Sequence, residues 1–269
     1  ADMAGNVIGV VNAPGRTHFS LTEMSMLAPL HDGAVSLDPV NRQNTFVSYY
    51  PWGATVALAL DLTLRERFDL TLDDYMRALW RGFGRFQTPA LAPARPYTGR
   101  DARRTLGTLV RDTAFANDFF RRHVDGREVP DFGPLLAPAG FLFAADSAMR
   151  PWLGASLDDD TTAVFVNSTG ETGSLFRAGI ANGDRIHAVD GTAVTTVAAL
   201  DAALTAHRVG DVVQLDVTQR GGRRTIPVTL VGRPTLRLVT YEKSGLQVTD
   251  AMREFRRRWL ESGVARTSR

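Results

Sequence analysis

The sequence contains no cysteine and few histidines. Its 269 residues include five histidines, which are His18, His31, His123, His187 and His207. Without cysteine the chain has no disulfide framework, no thiolate metal site and no cysteine nucleophile. No two histidines are four positions apart, so no helix presents a pair of imidazoles on one face to a metal ion. We therefore do not expect this chain alone to bind a catalytic zinc ion.

Long apolar runs and an excess of one charge are also missing. The longest strongly apolar stretch, residues 54–64, is interrupted by Asp61 and is too short to span a bilayer. Lys and Arg number 31 against 29 Asp and Glu, which leaves no basic footprint for nucleic acid. We expect no membrane span and no nucleic-acid partner. The first residues carry no charged-then-apolar signal pattern, so the sequence does not encode the location of the protein. The location is left unknown, with a periplasmic or secreted one favoured over a cytoplasmic one.

The hydrophobic pattern divides the chain into two unlike halves. Apolar residues recur at helical spacing up to about Asp146, and from about Trp152 to Leu230 they alternate as in strands. An amphipathic segment at 249–260 predicts a last helix, whose arginine-rich face we interpret as solvated. The predicted fold class is α+β, with a mainly helical subdomain, then a small β-barrel or sandwich, then a C-terminal helix. The predicted units are 1–148, 149–234 and 235–269.

Helix-start signals are clear in the first half. Pro51 opens a long helix that is apolar on nearly every face, which predicts a central, buried element. Capping-box patterns, each a threonine followed three residues later by an aspartate, predict two further helix starts at Thr71 with Asp74 and at Thr98 with Asp101. The Pro-, Gly- and Asn-rich residues 12–45 predict an irregular stretch.

A glycine-rich run in the second half, residues 173–191, has the sequence GSLFRAGIANGDRIHAVDG. Gly179 and Gly183 suit tight turns, Asp184 suits a loop cap before a strand, and Asp190 with Gly191 suits the turn after it. This run resembles the core of a PDZ domain of the bacterial protease-associated kind, and the resemblance covers about residues 152–230. It implies that an extended peptide adds to the domain as a strand and that backbone N–H groups capture its terminal carboxylate.

The carboxylate-binding loop that this resemblance implies consists of Trp152, Leu153, Gly154 and Ala155. A glycine there lets the backbone approach an anion closely. Two interpretations of the groove stay open. It binds the C-terminus of a peptide partner, or it is filled by the protein's own chain and serves to pack the two halves together.

Three segments of the first half carry a second resemblance. They lie within residues 12–25, 28–44 and 46–80, the last of which begins FVSYYPWGA. Ahead of a PDZ domain, these segments are similar to the carboxy-terminal part of the glycyl aminopeptidase family of zinc metallopeptidases, whose catalytic domain resembles thermolysin. The resemblance covers essentially the whole chain. It implies a bacterial hydrolase that removes small N-terminal residues, Gly or Ala, from peptide substrates.

The zinc ligands of that family are absent from this sequence. The family holds zinc through the two histidines of an H-E-x-x-H helix and a downstream glutamate, and the glutamate of the motif is the general base. The resemblance therefore implies that zinc and its ligands belong to an upstream catalytic segment of the full-length protein, and that this chain alone is inactive. The alternative is a non-catalytic PDZ scaffold whose peptide groove is its active surface.

Tyr50 is the catalytic position that the resemblance assigns to this chain. Enzymes of this clan carry a tyrosine, in a Y-x-K-G motif at the start of a buried helix, that donates a hydrogen bond to the oxyanion. Tyr50 and Gly53 match the motif, and Trp52 stands where many relatives have lysine. A neutral phenol stabilises developing negative charge without carrying charge itself. The alternative is a buried structural tyrosine with a satisfied hydroxyl, and Tyr49 is expected to point elsewhere.

Several acidic residues have other interpretations. Asp61, inside the apolar helix, predicts a structural ion pair rather than an acid–base role. Glu23 and Asp32 lie in the stretch that, by the resemblance, borders the active-site cleft, where they are candidates to meet the amino group of a substrate. The run Asp158–Asp159–Asp160 predicts a solvated turn, because it lacks the alternating spacing of a calcium loop.

The change of periodicity and the Met149-Arg150-Pro151 break predict a boundary between Asp146 and Trp152. We expect limited proteolysis of the purified chain to cut there first and to release a folded fragment that begins near Met149. Mass spectrometry of the fragments checks the cut site. Resistance of this stretch, together with failure of the isolated fragment to fold, would contradict the boundary.

Overall fold

The computed structural model describes residues 2–31, 41–145, 149–233 and 236–261. Over these residues the helices are α1 (Asp2–Asn12), α2 (Leu21–Met26), α3 (Ala28–His31), α4 (Arg42–Thr45), α5 (Tyr49–Phe68), α6 (Leu72–Leu79), α7 (Gly99–Val110), α8 (Thr113–Phe119), α9 (Phe132–Leu136), α10 (Ser174–Arg177), α11 (Val197–Leu204) and α12 (Asp250–Leu260). The strands are β1 (Phe141–Ala145), β2 (Pro151–Trp152), β3 (Ala155–Asp159), β4 (Val164–Thr169), β5 (Arg185–Val189), β6 (Thr192–Ala193), β7 (Val212–Gln219), β8 (Gly222–Thr229), β9 (Val231–Gly232) and β10 (Leu236–Thr240). The predicted α+β class is confirmed, with a helical first part, a sheet-rich second part and a C-terminal helix.

Helix α5 is the centre of the helical part. Pro51 is its third residue, where a missing backbone N–H leaves no helical bond unmade. The helix ends at Asp69, whose φ of 52° is left-handed. The buried residues of α5 lie on most of its circumference, and they are Trp52, Thr55, Val56, Ala59, Leu60, Leu62, Thr63 and Leu64. The prediction of a central, buried helix is therefore confirmed.

Short helices surround α5 and start where the capping signals lie. The Thr71 N–H donates to the Asp74 carboxylate at 3.0 Å, and the Thr71 hydroxyl accepts from the Asp74 N–H. The predicted box at the start of α7 has the same arrangement. A third box, Ser20 with Glu23, starts α2. The prediction that residues 12–45 are irregular is therefore wrong for their described part, because local capping supports α2, and α3 and α4 also lie in this stretch.

The main sheet of the sheet-rich part is antiparallel with the strand order β3-β4-β5-β7-β8, β6 pairs with β5, and β2 and β9 form a separate two-stranded sheet. It is open rather than closed into a barrel. Arg220 and Gly221, with φ of 35° and 87°, form the two-residue turn between β7 and β8. One face of the sheet packs against α11 through buried apolar residues that include Ile186, Leu200 and Leu215. Strand β3 forms one edge of this sheet.

The chain returns to the helical part after the sheet. Strand β10 pairs antiparallel with β1, from Phe141 opposite Thr240 to Ala145 opposite Leu236. Helix α12 then packs against the helical part, because Phe255 shares a buried cluster with residues of α1, α5 and α9. The sheet-rich part is thus inserted between two strands that belong with the helices. The predicted unit boundaries at residues 148 and 234 fall outside the described ranges.

Phe255 is 9% exposed and anchors α12 to the helical part. We expect Phe255→Ala to lower the free energy of unfolding by about 3 kcal/mol, because the truncation leaves a cavity in a packed cluster. Arg253→Ala, on the exposed side of the same helix, should change it by less than about 0.5 kcal/mol. Urea unfolding followed by circular dichroism compares the two variants. Equal stabilities would show that α12 contributes nothing to the packing of the helical part.

Candidate functional site

Tyr50 lies in the first turn of α5 with its side chain in solvent. The residue is 72% exposed, and its hydroxyl has no hydrogen-bond partner among the described residues. Tyr75 provides a contrast, because its hydroxyl donates to the Ala102 carbonyl at 3.0 Å and burial raises its pKa to about 12. The alternative that Tyr50 is a buried structural tyrosine is therefore wrong. Its hydroxyl is free to act as a donor to another molecule.

The neighbours of Tyr50 fix its backbone while leaving its ring at the surface. Trp52 is completely buried, and its indole N–H has no hydrogen-bond partner. The rings of Tyr49 and Tyr50 lie with their centroids 4.6 Å apart. The expectation that Tyr49 points elsewhere is therefore wrong, because the two rings gain a tilted aromatic contact.

A groove of about 660 Å³ lies on the face of α5 that begins one turn after Tyr50. Helices α1, α5, α6 and α12 line it, and Ala54, Leu58 and Asp61 follow one another along its α5 wall. Asp61 accepts a hydrogen bond from Arg65 at 2.8 Å and another from the backbone N–H of Leu72 at 2.9 Å. The predicted ion pair of Asp61 is confirmed, and it also holds the start of α6 against α5.

The other acidic candidates have structural partners or lie outside the described residues. The Glu23 carboxylate accepts from the backbone N–H of Ser20 at 2.7 Å, and this bond lowers the pKa of Glu23. Asp32 lies outside the described residues. Asp158 and Asp159 are exposed, as the prediction of a solvated turn at residues 158–160 expects, but they belong to β3 rather than to a turn. Asp160 pairs with Arg185 at 2.7 Å, and Asp159 accepts from the N–H that starts α11.

The histidines do not form a metal site within the described residues. His18 pairs with Glu171 at 2.9 Å, and His187 with the Thr218 hydroxyl at the same distance. His123 is buried against the Glu128 carbonyl, and desolvation by burial lowers its pKa. Across the part of the chain that the structure describes, no three His, Cys, Asp or Glu side chains come together as a ligand set.

Hydrogen bonds from one neighbouring segment hold the predicted carboxylate loop, Trp152 to Ala155. Its carbonyls accept hydrogen bonds from the segment that follows β4: Trp152 O from the Ser174 hydroxyl at 3.3 Å, Leu153 O from Leu175 at 3.0 Å, and Gly154 O from Gly170 at 3.1 Å. Gly154 has a φ of 73°, which permits this conformation. The loop is therefore fixed with its carbonyls directed toward one segment.

Two backbone amide groups of the same loop are available to a ligand. The backbone N–H groups of Leu153 and Gly154 have no hydrogen-bond partner within the described ranges, although both residues are buried. Unpaired donors in a buried backbone are rare and costly. Successive N–H groups without partners form an anion site of the kind that receives a peptide carboxylate.

The groove beside this loop has the form that strand addition needs. Strand β3 pairs with β4 alone among the described strands, so its outer edge offers unpaired backbone groups. Helix α11 forms the opposite wall, and the hydrogen bond from the Val197 N–H to Asp159, 2.6 Å long, ties that wall to the far end of β3. Ala155 and Leu157 are only partly buried and line the side of β3 that packs on the core. No described strand of the chain fills this groove.

A family model described as PDZ domain matches residues 151–230. Together with the open antiparallel sheet, the glycine-containing loop and α11, this match makes the sheet-rich part a PDZ domain. No curated protein matches the chain. Within the described residues, no helix combines the length and the apolar character that a membrane crossing requires.

The fold of nearly the whole chain is similar to that of a solved aminopeptidase N family protein from Idiomarina loihiensis. The TM-score is 0.71 at 24% identity, over 93% of this chain and 42% of that chain. The chain thus spans less than half the length of that protein. A fold similar to that of the helical part and the sheet-rich part together therefore occurs in another protein.

Two shorter similarities concern about a third of the chain. A serine endoprotease from Yersinia pestis is 20% identical with a TM-score of 0.29, over 32% of this chain and 30% of that chain. The HtrA-type protease AlgW, solved with a decapeptide, is 19% identical with a TM-score of 0.31, over 32% and 30% of the two chains.

The scattered histidines give a prediction about metal content. We expect the purified chain to retain no stoichiometric zinc after dialysis and to have no aminopeptidase activity, because a tight site needs three or four converging ligands. Metal analysis by mass spectrometry measures the zinc content. One tightly held zinc ion per molecule would contradict the prediction.

Proposed function

We propose that the chain is the C-terminal portion of a zinc metallo-aminopeptidase of the glycyl aminopeptidase type, in which Tyr50 donates a hydrogen bond to the reacting carbonyl oxygen. The observation that carries the proposal is the free hydroxyl of Tyr50 at the start of the buried helix α5. The Y-x-x-G spacing of Tyr50 and Gly53 supports it. So does the fold shared with an aminopeptidase N family protein over most of this chain.

The described residues do not fit a catalytic zinc ion, since they bring no ligand set together. In this proposal the metal and its ligands belong to a segment that precedes Ala1 in the full-length protein. The contribution of this chain is then a positioned donor. The Tyr50 phenol presents its O–H to an oxygen on which negative charge develops.

Rigidity is what makes such a donor effective. A donor that is already in place needs no reorganisation when charge develops, so its hydrogen bond strengthens in the transition state without a compensating cost. The buried Trp52 and the surrounding core hold the first turn of α5 in place. Tyr50 can therefore act from a fixed backbone even though its ring is exposed.

The proposed substrates are short peptides with a small N-terminal residue, Gly or Ala. This preference comes from the family resemblance alone, as does a periplasmic or secreted location. Activity of the full-length protein toward glycyl and alanyl peptides, compared with leucyl and phenylalanyl peptides, tests the preference. Sequencing of the gene upstream of Ala1 tests the class, because the proposal requires an H-E-x-x-H motif there.

Tyr50→Phe in the full-length protein removes one oxygen and keeps the ring. We expect turnover to fall about 10²–10³-fold, because one oxyanion donor is lost. The Michaelis constant should change much less, since the bond gains strength only as charge develops. Steady-state kinetics on an alanyl peptide measures both quantities.

Tyr49→Phe is the matched control, because it removes the same atom from the ring that stacks on Tyr50. We expect it to keep most of the activity. If Tyr49→Phe lost activity while Tyr50→Phe kept it, the motif would be misaligned by one residue and the role would move to Tyr49.

A second candidate function is peptide binding by the PDZ domain. The unpaired N–H groups of Leu153 and Gly154 beside the free edge of β3 favour it. This function is compatible with the first, because the groove and Tyr50 are different surfaces. A scaffold that has no catalytic segment would keep the groove and lack the upstream metal motif.

The groove predicts binding of free peptide C-termini. We expect peptides selected from a random C-terminal library to bind, and their C-terminally amidated copies to bind at least about tenfold more weakly, because hydrogen bonds to the charged carboxylate are lost. Isothermal titration calorimetry on the purified chain compares each pair. Equal affinity of acid and amide would argue against carboxylate capture by this loop.

A further inference from the structure

One turn of the PDZ domain touches both the carboxylate loop and the helical part. We call residues 169–173, which begin with the last residue of β4, the docking turn. On one side it lies directly beneath the carboxylate loop, and on the other it meets the segment that leads into α5. The carboxylate loop and the segment that leads to Tyr50 are thus in contact with the same short stretch of backbone.

The contact between the docking turn and the carboxylate loop leaves no free space. Gly154 and Gly173 cross so closely that a Cβ atom on Gly154 would overlap the Gly173 backbone and lie 2.9 Å from the Ser174 nitrogen. The Gly170 N–H donates to the Gly154 carbonyl at 3.1 Å. Because close-packed backbones transmit displacement, the loop cannot shift without moving the docking turn.

The contact between the docking turn and the helical part depends on one buried side chain. Asn44 is 4% exposed. Its amide nitrogen donates to the Thr169 carbonyl at 3.1 Å, and its amide oxygen accepts from the Glu171 N–H at 2.8 Å. The Asn44 side chain thus donates one hydrogen bond and accepts one from the backbone across the interface, as a residue of a neighbouring β-strand would. The second contact, His18 with Glu171, lies at the surface.

The segment that carries Asn44 leads directly to Tyr50. Its backbone is packed on Gly15, where an added Cβ would lie 2.9 Å from the Thr45 carbonyl carbon and 3.0 Å from the Phe46 nitrogen. Val47 is buried in the core of the helical part. The segment is therefore held on both sides up to the first turn of α5.

We propose that Asn44 is a positioning residue, which couples the carboxylate loop of the PDZ domain to the start of α5 and so to the placement of Tyr50. The path runs from the loop through the docking turn and the Asn44 amide to α5. Its consequence for catalysis rests on the proposed role of Tyr50. The coupling itself is a property of the chain and needs neither zinc nor a peptide to be measured.

The test uses the purified chain with 3-fluorotyrosine in place of its five tyrosines. Fluorine NMR then gives one resonance for each ring, and Tyr50→Phe assigns the Tyr50 resonance. We expect Asn44→Ala to shift or broaden the Tyr50 resonance and to leave that of Tyr75 unchanged. Asn44→Asp keeps the acceptor for the Glu171 N–H but sets a buried carboxylate oxygen against the Thr169 carbonyl oxygen, so it should also perturb the Tyr50 resonance.

Hydrogen exchange of backbone amides measures the effect of the same variants at the carboxylate loop, which is the other end of the path. We expect the amides of Gly170 and Leu175, which donate to the carboxylate loop, to exchange about tenfold faster in Asn44→Ala, because a buried hydrogen-bonded pair is lost. Glu171→Ala is the matched control. It removes the surface pair with His18 and keeps both bonds of Asn44, so neither the fluorine spectrum nor the exchange should change.

The proposal requires both effects of Asn44→Ala. It is overturned if the Tyr50 resonance responds no more than in Glu171→Ala, or if the loop amides exchange at the wild-type rate. Circular dichroism confirms that each variant is folded. Should Asn44→Ala not fold, Ser174→Ala loosens the loop from the other end, and the Tyr50 resonance must then respond. Absence of peptide binding or of peptidase activity would refute the proposed function. The comparison of Asn44→Ala with Glu171→Ala would still test the coupling.

Discussion

Burial of α5 on most of its circumference is the constraint on which the rest of the structure depends. A helix of that kind cannot be stable alone in water, so α1, α6 and the elements beside them must cover it. This packing ends at the first turn of α5, where Trp52 is buried and Tyr50 is exposed. The same packing that stabilises the helical part therefore leaves the Tyr50 phenol at the surface beside a buried first-turn residue.

Local signals in the sequence predicted much of this architecture. Pro51, the threonine capping boxes and the turn at Gly221 each act through neighbours a few residues away, so single-chain patterns are sufficient to find them. The carboxylate loop was assigned by resemblance to a family, and the structure adds that the N–H groups of Leu153 and Gly154 have no hydrogen-bond partner within the described ranges. Asp61 was predictable as an ion pair, because a carboxylate in an apolar helix needs a partner.

The features that were missed depend on contacts distant in sequence. The pairing of β1 with β10 joins segments that are separated by the whole PDZ domain, and nothing near Phe141 indicates it. The stacking of Tyr49 on Tyr50 depends on side-chain rotamers rather than on helix periodicity. Asn44 was noted only as part of the resemblance carried by residues 28–44, since its contact with the PDZ domain is visible only when the Thr169 carbonyl is placed beside it. The Ser20 and Glu23 box was a local signal that could have been found.

The insertion of the PDZ domain between β1 and β10 has a consequence for synthesis of the protein. Strand β1 leaves the ribosome long before β10, and α12 follows later still, so the helical part stays incomplete until the inserted domain has been made. The inserted domain, with its own apolar core, can collapse during this interval and bring the two partner strands close together. Folding of the inserted domain then reduces the entropy cost of closing a loop of about ninety residues.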